Sequence, residues 1–323
     1  PCAIRSAFFV DWDPQSYYSL QRNINKLNLV IPEWLFIDPN TDTLTVSIDP
    51  QALAIMQKSG VNILPMMSNV FHEEFKGDAV HRIITHPAKK AKLISDLIRV
   101  LKTHHFVGVN VDFEDLVEKT DEPLVRFQKE LYEQLHAQNL LVTQDIIPFN
   151  SDYNYETLAQ YNDFLFVMAY DEFSEATKPG PVAEQKWIEA AIGEATKKLP
   201  AGKVILGLAA YGYDWPKNSE ATSLTYQQAL TTAKESEGKI EFDNNTYNLH
   251  FSYADDNDVE HDVYFTDAAT AFNSLRFATE EQLAGVALWR LGSEDSRVWD
   301  FYNLDMRKEA VSRFDFGRFT SVR

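Results

Sequence analysis

One stretch of the sequence has the residue types and spacing of acid–base chemistry: Val107-Gly108-Val109-Asn110-Val111-Asp112-Phe113-Glu114. Side chains alternate along a strand, so Asn110, Asp112 and Glu114 share one face and Val109, Val111 and Phe113 share the other. The apolar set belongs against packed helices, which sends three polar groups, two of them acidic, the opposite way. Unpaired buried carboxylates are costly, so such a row needs partners or a purpose. Two carboxyls on alternate residues also repel, which raises one pKa and creates a proton donor at neutral pH.

The rhythm of the chain says what must hold this row. Eight β-branched or aromatic runs (residues 6–12, 29–37, 61–68, 107–114, 140–148, 164–170, 204–211 and 285–291) alternate with longer segments. Among those segments, Pro87–Lys102, Pro123–Gln138 and Gln185–Lys198 carry apolar residues at three- and four-residue spacing. Eight strands with intervening helices predict an α/β fold, a closed (β/α)8 TIM barrel, rather than an open sheet. In a barrel the acidic row would face the interior and climb to the end where active sites are built. No GxGxxG or GxxxxGK[ST] follows an early strand, which removes the usual nucleotide-binding reading. About seventy residues separate Trp215 from Gly285, too many for a bare loop. They contain a helical pattern (Ser223–Glu235) and strand-like pieces (Lys239–Phe242, Leu249–Tyr253, Glu260–Phe265). The expected organisation is one barrel over 1–323, with a small α+β insertion at 216–283 between strands 7 and 8.

Composition narrows the function classes. Hydrophobic residues at 45% of 323 supply a sizeable core, which excludes disorder. A formal net charge of -18 argues against a nucleic-acid partner, because phosphate binding wants a basic face. No apolar run approaches the ~20 residues that span a bilayer, so no membrane insertion is expected of this segment. Cys2 is the single cysteine, which excludes an internal disulfide or cysteine metal cluster. The eight histidines show no HExxH or comparable spacing, and no cofactor or metal is expected. His104 and His105 read as a solvated loop. Asp255-Asp256-Asn257-Asp258 lacks the glycine and terminal Glu of a calcium loop and reads as a solvated turn. No GxSxG elbow supports esterase chemistry. The start at Pro1-Cys2-Ala3, without Met or a signal segment, reads as a mature product or a piece of something longer.

The acidic row resembles the fourth-strand signature DxxDxDxE of glycoside hydrolase family 18, the chitinase-like barrels. Here it reads Val107-x-x-Asn110-x-Asp112-x-Glu114, so the last two acids match and the first two do not. Met168-Ala169-Tyr170-Asp171 resembles the family's MxYD, and Ala287-Leu288-Trp289 its tryptophan-bearing eighth strand. The segment from Gly207 to Trp215, Gly-Leu-Ala-Ala-Tyr-Gly-Tyr-Asp-Trp, is similar to the spore-germination hydrolase branch and to domains fused to polysaccharide-modifying enzymes.

The resemblance implies a retaining glycosidase of chitinase or N-acetylglucosaminidase type acting on N-acetylglucosamine-containing glycans (chitin-like, peptidoglycan or exopolysaccharide). Glu114 would protonate the glycosidic oxygen, and the nucleophile would be the substrate's own N-acetyl oxygen. Asp112 would orient the acetamido N–H, and Tyr170 would donate to the acetamido oxygen. Asp171, Met168, Trp289, Trp12 and Asn110 complete the expected substrate-binding set. Asp171 enters it only if the sixth strand has ended, since alternation otherwise places it opposite Tyr170. Trp34 reads as core, and Glu33 lies within reach of the cleft. An acid at position 110 would share a proton with Asp112, whereas Asn110 cannot take one, which predicts activity with a changed pH profile. The competing reading is a lectin-like barrel, or an accessory domain fused to other polysaccharide-modifying domains; Glu114 counts against the lectin. The implied location is extracellular or cell-surface.

Overall fold

The structure, a computed structural model, describes residues 3–117, 122–151, 153–307 and 311–313; Cys2 lies outside them. Eight parallel strands close into a barrel. In chain order they are Ile4–Phe9, Leu29–Asp38, Met66–Ser68, Gly108–Asp112, Leu141–Ile146, Phe164–Met168, Val204–Ala209 and Gly285–Trp289. Each pairs with its sequence neighbours, and the eighth returns to the first through Ile4↔Gly285 and Ala7↔Leu288. The third strand is preceded by a short rung, Asn62–Ile63, also on the second strand. Between the two pieces stands Pro65, which has no N–H to give a ladder.

The predicted helices form at Pro87–Thr103, Glu122–His136 and Gln185–Thr196. Pro14–Asn23 and Pro50–Ser59 were not anticipated, although both carry a readable start. In each, an Asp (Asp13, Asp49) accepts from the first-turn N–H groups ahead of a proline. Outward strand residues such as Val109, Val111, Val142 and Leu206 merge with helix residues such as Leu97, Phe127, Leu131 and Ile188 in one apolar shell. A separate plug of Phe8, Ile31, Leu64, Met66, Phe166, Ile205 and Ala287 fills the barrel interior. That plug is the floor on which the polar residues stand.

The long connection builds a five-stranded antiparallel sheet with its own apolar core, including Leu249, Phe251, Val263 and Phe265. It differs in extent from the expected 216–283. The sheet begins earlier, with Gly212–Pro216 directly after the seventh barrel strand, and ends at Phe265. The helix Ala268–Glu280 then packs in the barrel shell, with Leu275 and Ala278 among the barrel's buried residues. Its Asp267 capping box is the sequence signal that separates it from the sheet.

One close approach bears on the site. A Cβ at Gly77, the first residue of the helix Gly77–Ile84, would lie 1.8 Å from the carbonyl oxygen of Asp115, just past the fourth strand. Every near atom is backbone, so no side chain can swing aside. Gly77→Ala is expected to cost about 1–3 kcal/mol, the usual penalty of overpacking. Chemical denaturation would show it as a lower midpoint with unchanged slope, and an unchanged midpoint would refute the packing argument.

Candidate active site

Strand parity brings the predicted row together. Asn110 and Asp112 pair in register with Met66 and Ser68 and point into the barrel, 0% and 7% exposed. Val109, Val111 and Phe113 face the helices, as alternation requires. The ladder ends at Asp112, so Glu114 sits on the segment that leaves the barrel mouth. Its backbone is fixed there by Asn69, whose side chain donates to the Glu114 carbonyl at 2.8 Å and accepts from its N–H at 2.9 Å. Asp115 then takes a left-handed φ of 52° and turns the chain away.

Deeper down, Asn110 Nδ2 donates to Thr143 Oγ1 at 3.1 Å and to Asp145 Oδ1 at 2.9 Å on the fifth strand. Asp145 is 1% exposed. The sixth strand ends at Met168, and Asp171 has a φ of 59°. The break in alternation lets Met168, Tyr170 and Asp171 all line one cleft. Asp171 Oδ1 accepts from the hydroxyls of Tyr211 and Tyr213, the latter at 2.6 Å.

The cleft holds about 1130 Å³ at the C-terminal ends of the strands. Val70, Phe71, His72 and Phe75 of a short hairpin form one wall; Ser223, Leu224, Thr225 and Gln228 of the insertion contribute to another. Trp289 lies at the end of the eighth strand, its ring 5.1 Å from that of Phe8. Trp12 stands at the rim, 63% exposed, with the Arg290 guanidinium 4.4 Å from its ring centroid. Trp34 is fully buried and donates to Asp11 at 3.0 Å, in keeping with a core position.

Burial dominates the electrostatics. It raises the Glu114 pKa well above the carboxylate range, and the neighbouring Asp112 charge adds to the rise. Glu114 therefore holds its proton and donates it in a hydrogen bond to Asp112, which partly offsets the upward push of burial on Asp112 itself. Burial, then the Asp112 charge, drives Asp145 well up. Glu33 reaches about 7, through burial first and the charges of Asp112 and Asp11 second. Tyr170 is pushed up by burial and by the surrounding acids, so its phenol stays protonated. Asp171 also rises through burial, against the pull of its two tyrosine partners. Among the described residues, no group of three or more His, Cys, Asp or Glu is placed to hold a metal ion. No helix among them is long and apolar enough to cross a membrane.

Asp145, Asn69, Tyr211 and Tyr213 were missed as site residues. Asp145 was readable: with Val142 and Ile146 outward, the parity applied to the fourth strand sends Thr143 and Asp145 inward. Asn69 had no such signal, because its role depends on a loop meeting the end of another strand.

The family model for glycosyl hydrolases family 18 matches residues 50–295. The uncharacterized glycosylase YvbX of Bacillus subtilis is 26% identical over 89% of this chain and 87% of its own length. The cortical fragment-lytic enzyme of Bacillus subtilis is 22% identical over 76% of this chain and 60% of its own. A chitinase from Chromobacterium violaceum superposes with a TM-score of 0.85 at 25% identity, covering 93% of this chain and 97% of that one. The Bacillus cereus spore cortex-lytic enzyme SleL superposes at 0.83 and 19% identity, over 93% of this chain and 74% of its own, a likeness of fold.

The raised carboxyls have a consequence for stability. The folded state binds these protons more tightly than the unfolded chain, so their contribution is full below the ordinary carboxylate pKa and is lost as pH rises through the folded values. Those values are about 7 for Glu33 and about 8 for Glu172. The thermal midpoint should fall between about pH 5 and about pH 8, and Glu33→Gln should flatten that slope. Circular dichroism melts at matched ionic strength test this; a midpoint that climbs across the window contradicts the assignment.

Proposed function

The chain belongs to glycosyl hydrolase family 18 and is a glycosidase, and we propose that it cleaves N-acetylglucosamine-containing glycans with retention, using the substrate's own acetamido group as nucleophile. One observation carries the choice of mechanism: Glu114 and Asp112 share a hydrogen bond on one strand. Two enzymic carboxyls that flank a glycosidic bond stand about 5–5.5 Å apart in the covalent retaining scheme and about 6.5–9.5 Å apart in the inverting one. A hydrogen-bonded pair is too close for either, which supports a nucleophile supplied by the sugar.

The residues then take the following parts. Glu114 transfers its proton to the glycosidic oxygen as the bond from that oxygen to C1 breaks. The acetamido oxygen closes on C1, and Asp112 accepts the acetamido N–H and balances the positive charge of the ring so formed. Tyr170, kept as a phenol by its surroundings, donates to the acetamido oxygen. Trp289 offers an apolar plate for the face of the same sugar. Water, deprotonated by the Glu114 carboxylate, attacks C1 as the bond from C1 to the acetamido oxygen breaks, which restores the acetamido group and the Glu114 acid with the original anomeric configuration. Asp171 and Met168 border the reacting sugar, and Trp12 supplies a ring at the rim. Chitin-like chains, peptidoglycan and exopolysaccharides all carry the required acetylated sugar, and their place outside the cytoplasm supports an extracellular or cell-surface site of action.

A chromogenic N-acetylglucosamine oligomer tests the proposal. Glu114→Gln should lower kcat by roughly 10²–10⁴-fold while the oligomer still binds. A thiazoline mimic of the cyclised intermediate should inhibit competitively, and kcat/KM should fall on the alkaline side as Glu114 loses its proton. Full-rate turnover by Glu114→Gln, or of a substrate deacetylated at the reacting sugar, would overturn it.

A further inference from the structure

Three buried oxygens inside the barrel mouth are without a hydrogen-bond partner among the described residues: Asn110 Oδ1, Asp112 Oδ1 and Asp145 Oδ2. They belong to adjacent strands at adjoining levels. Asn110 pairs with Thr143 and Val111 with Gln144, and the same register continued one residue sets Asp112 beside Asp145. Asp145 is held from below by Asn110 Nδ2 on Oδ1, which leaves Oδ2 as its other, open oxygen. Two buried carboxyls side by side, with no cation against them among the described residues, hold one proton between them. Asp145 has Oδ2 open to carry that proton, and of the two unsatisfied acceptors on the neighbouring strand, Asn110 Oδ1 and Asp112 Oδ1, the latter is level with Asp145.

We propose that Asp145 is a positioning and proton-sharing residue for Asp112, so that the fifth strand supplies the acid that the fourth strand lacks at Asn110. The inference rests on the hydrolase reading above and deepens it. Asp112 must be anionic to accept the acetamido N–H, at the moment when Glu114 surrenders the proton that had been hydrogen-bonded to it. A neutral Asp145 offers its Oδ2–H to the open oxygen of Asp112, Oδ1. The pair holds one proton and one negative charge throughout. The proton passes from Asp145 Oδ2 to Asp112 Oδ1 and back, with no oxidant, reductant or further reactant involved. Asn110 directs the sharing by occupying Asp145 Oδ1, so that only Oδ2 is open.

The groups that face Asp145 are Asp112 and Glu114 from the fourth strand and its exit, Tyr153 beyond the fifth strand, and Tyr170 after the sixth. The pKa values of Glu114, Tyr153 and Tyr170 are each raised in part by the Asp145 charge. All four titratable neighbours are acids or phenols; on the alkaline side, where Asp145 itself ionises, its charge opposes ionisation of Glu114, and a neutral amide at 145 removes that opposition. A residue with a merely structural role has no such effect on the pH profile.

The test is an exchange of acid and amide across the two strands. Wild type, Asp145→Asn, Asn110→Asp and the double variant are compared on the chromogenic oligomer across the pH range, with oligomer binding measured by calorimetry. Asp145→Asn should lower kcat roughly ten- to a hundredfold, within the range of acid–base contributions, with binding nearly unchanged. Its alkaline limb should move to lower pH. The double variant, which restores one acid and one amide in the same volume, should recover at least tenfold in kcat and return the limb toward wild type. Asp145→Asn with wild-type kcat and pH profile overturns the inference, as does a folded double variant no faster than the single. Should Asp145→Asn fail to fold, the double variant alone decides, by its rate and profile against wild type. Active wild type with inactive Glu114→Gln and an indifferent Asp145→Asn would sink this inference and leave the hydrolase reading standing. Wild type inert on every acetylated glycan would sink both.

Discussion

Among the described residues no cation is placed against Asp112, Glu114 or Asp145, and most of the site's properties follow from that. Arg290, which approaches the cleft, is ion-paired to Asp13 at 2.6 Å. Asp42, elsewhere on the molecule, shows the alternative: it faces Arg82 at 2.9 Å and Lys89 at 2.8 Å, and its pKa falls. Asp112, Glu114 and Asp145 are instead surrounded by one another and by phenols, and all rise. With burial disfavouring every charge and each charge disfavouring the next, protons are retained at a pH where free carboxylates have lost them. The barrel mouth is thus built to keep acids in their acid form.

Such an arrangement is unfavourable to folding, and the rest of the structure offsets it. The apolar shell and the interior plug are extensive, and both are continuous with the strands that carry the acids. Local geometry is fixed by groups that make no contact with the reacting sugar in the proposed scheme. Asn69 grips both backbone polar groups of Glu114. The absent side chain of Gly77 lets a helix start seat against Asp115. Tyr211 and Tyr213, on the segment leading into the insertion, hold Asp171 by its carboxylate. The insertion therefore does more than extend a wall, since its first strand carries one of the two hydroxyls that fix a cleft residue.

The legible parts of the sequence were those governed by period and parity. Alternation along Val107–Glu114 placed Asn110 and Asp112 inward, and the β-then-α rhythm gave eight strands in barrel order. Three strand ends fall two residues short of their runs: the fourth stops at Asp112, the sixth at Met168, the seventh at Ala209. The reason is physical. Residues leaving a barrel keep strand-like composition because they line a cleft, but they have lost their ladder partners. The positive φ at Asp115 and Asp171, neither of them glycine, was equally hidden, since aspartate tolerates that region without advertising it. What no local pattern holds is the meeting of distant loops, which is how Asn69 escaped notice. Asp145 is a different case, because the parity argument covered it and was applied to only one of two adjacent strands.

The retained protons also reconcile the chain's charge with the proposed substrates. A formal charge of -18 sets up a negative field that slows any strongly anionic polymer before it arrives. Within the cleft the same counting misleads, because burial raises Glu114 and Asp145 well above the ordinary carboxylate range and Glu33 to about 7. In the proposed scheme a neutral acetylated chain meets hydrogen-bond donors in Glu114 and Tyr170 and an anion at Asp112, where the acetamido N–H is received. The chain's negative charge and its raised cleft carboxyls together favour, in that scheme, glycans that are uncharged or cationic and acetylated at the reacting sugar. That selection follows from where water is excluded, and not from any single contact.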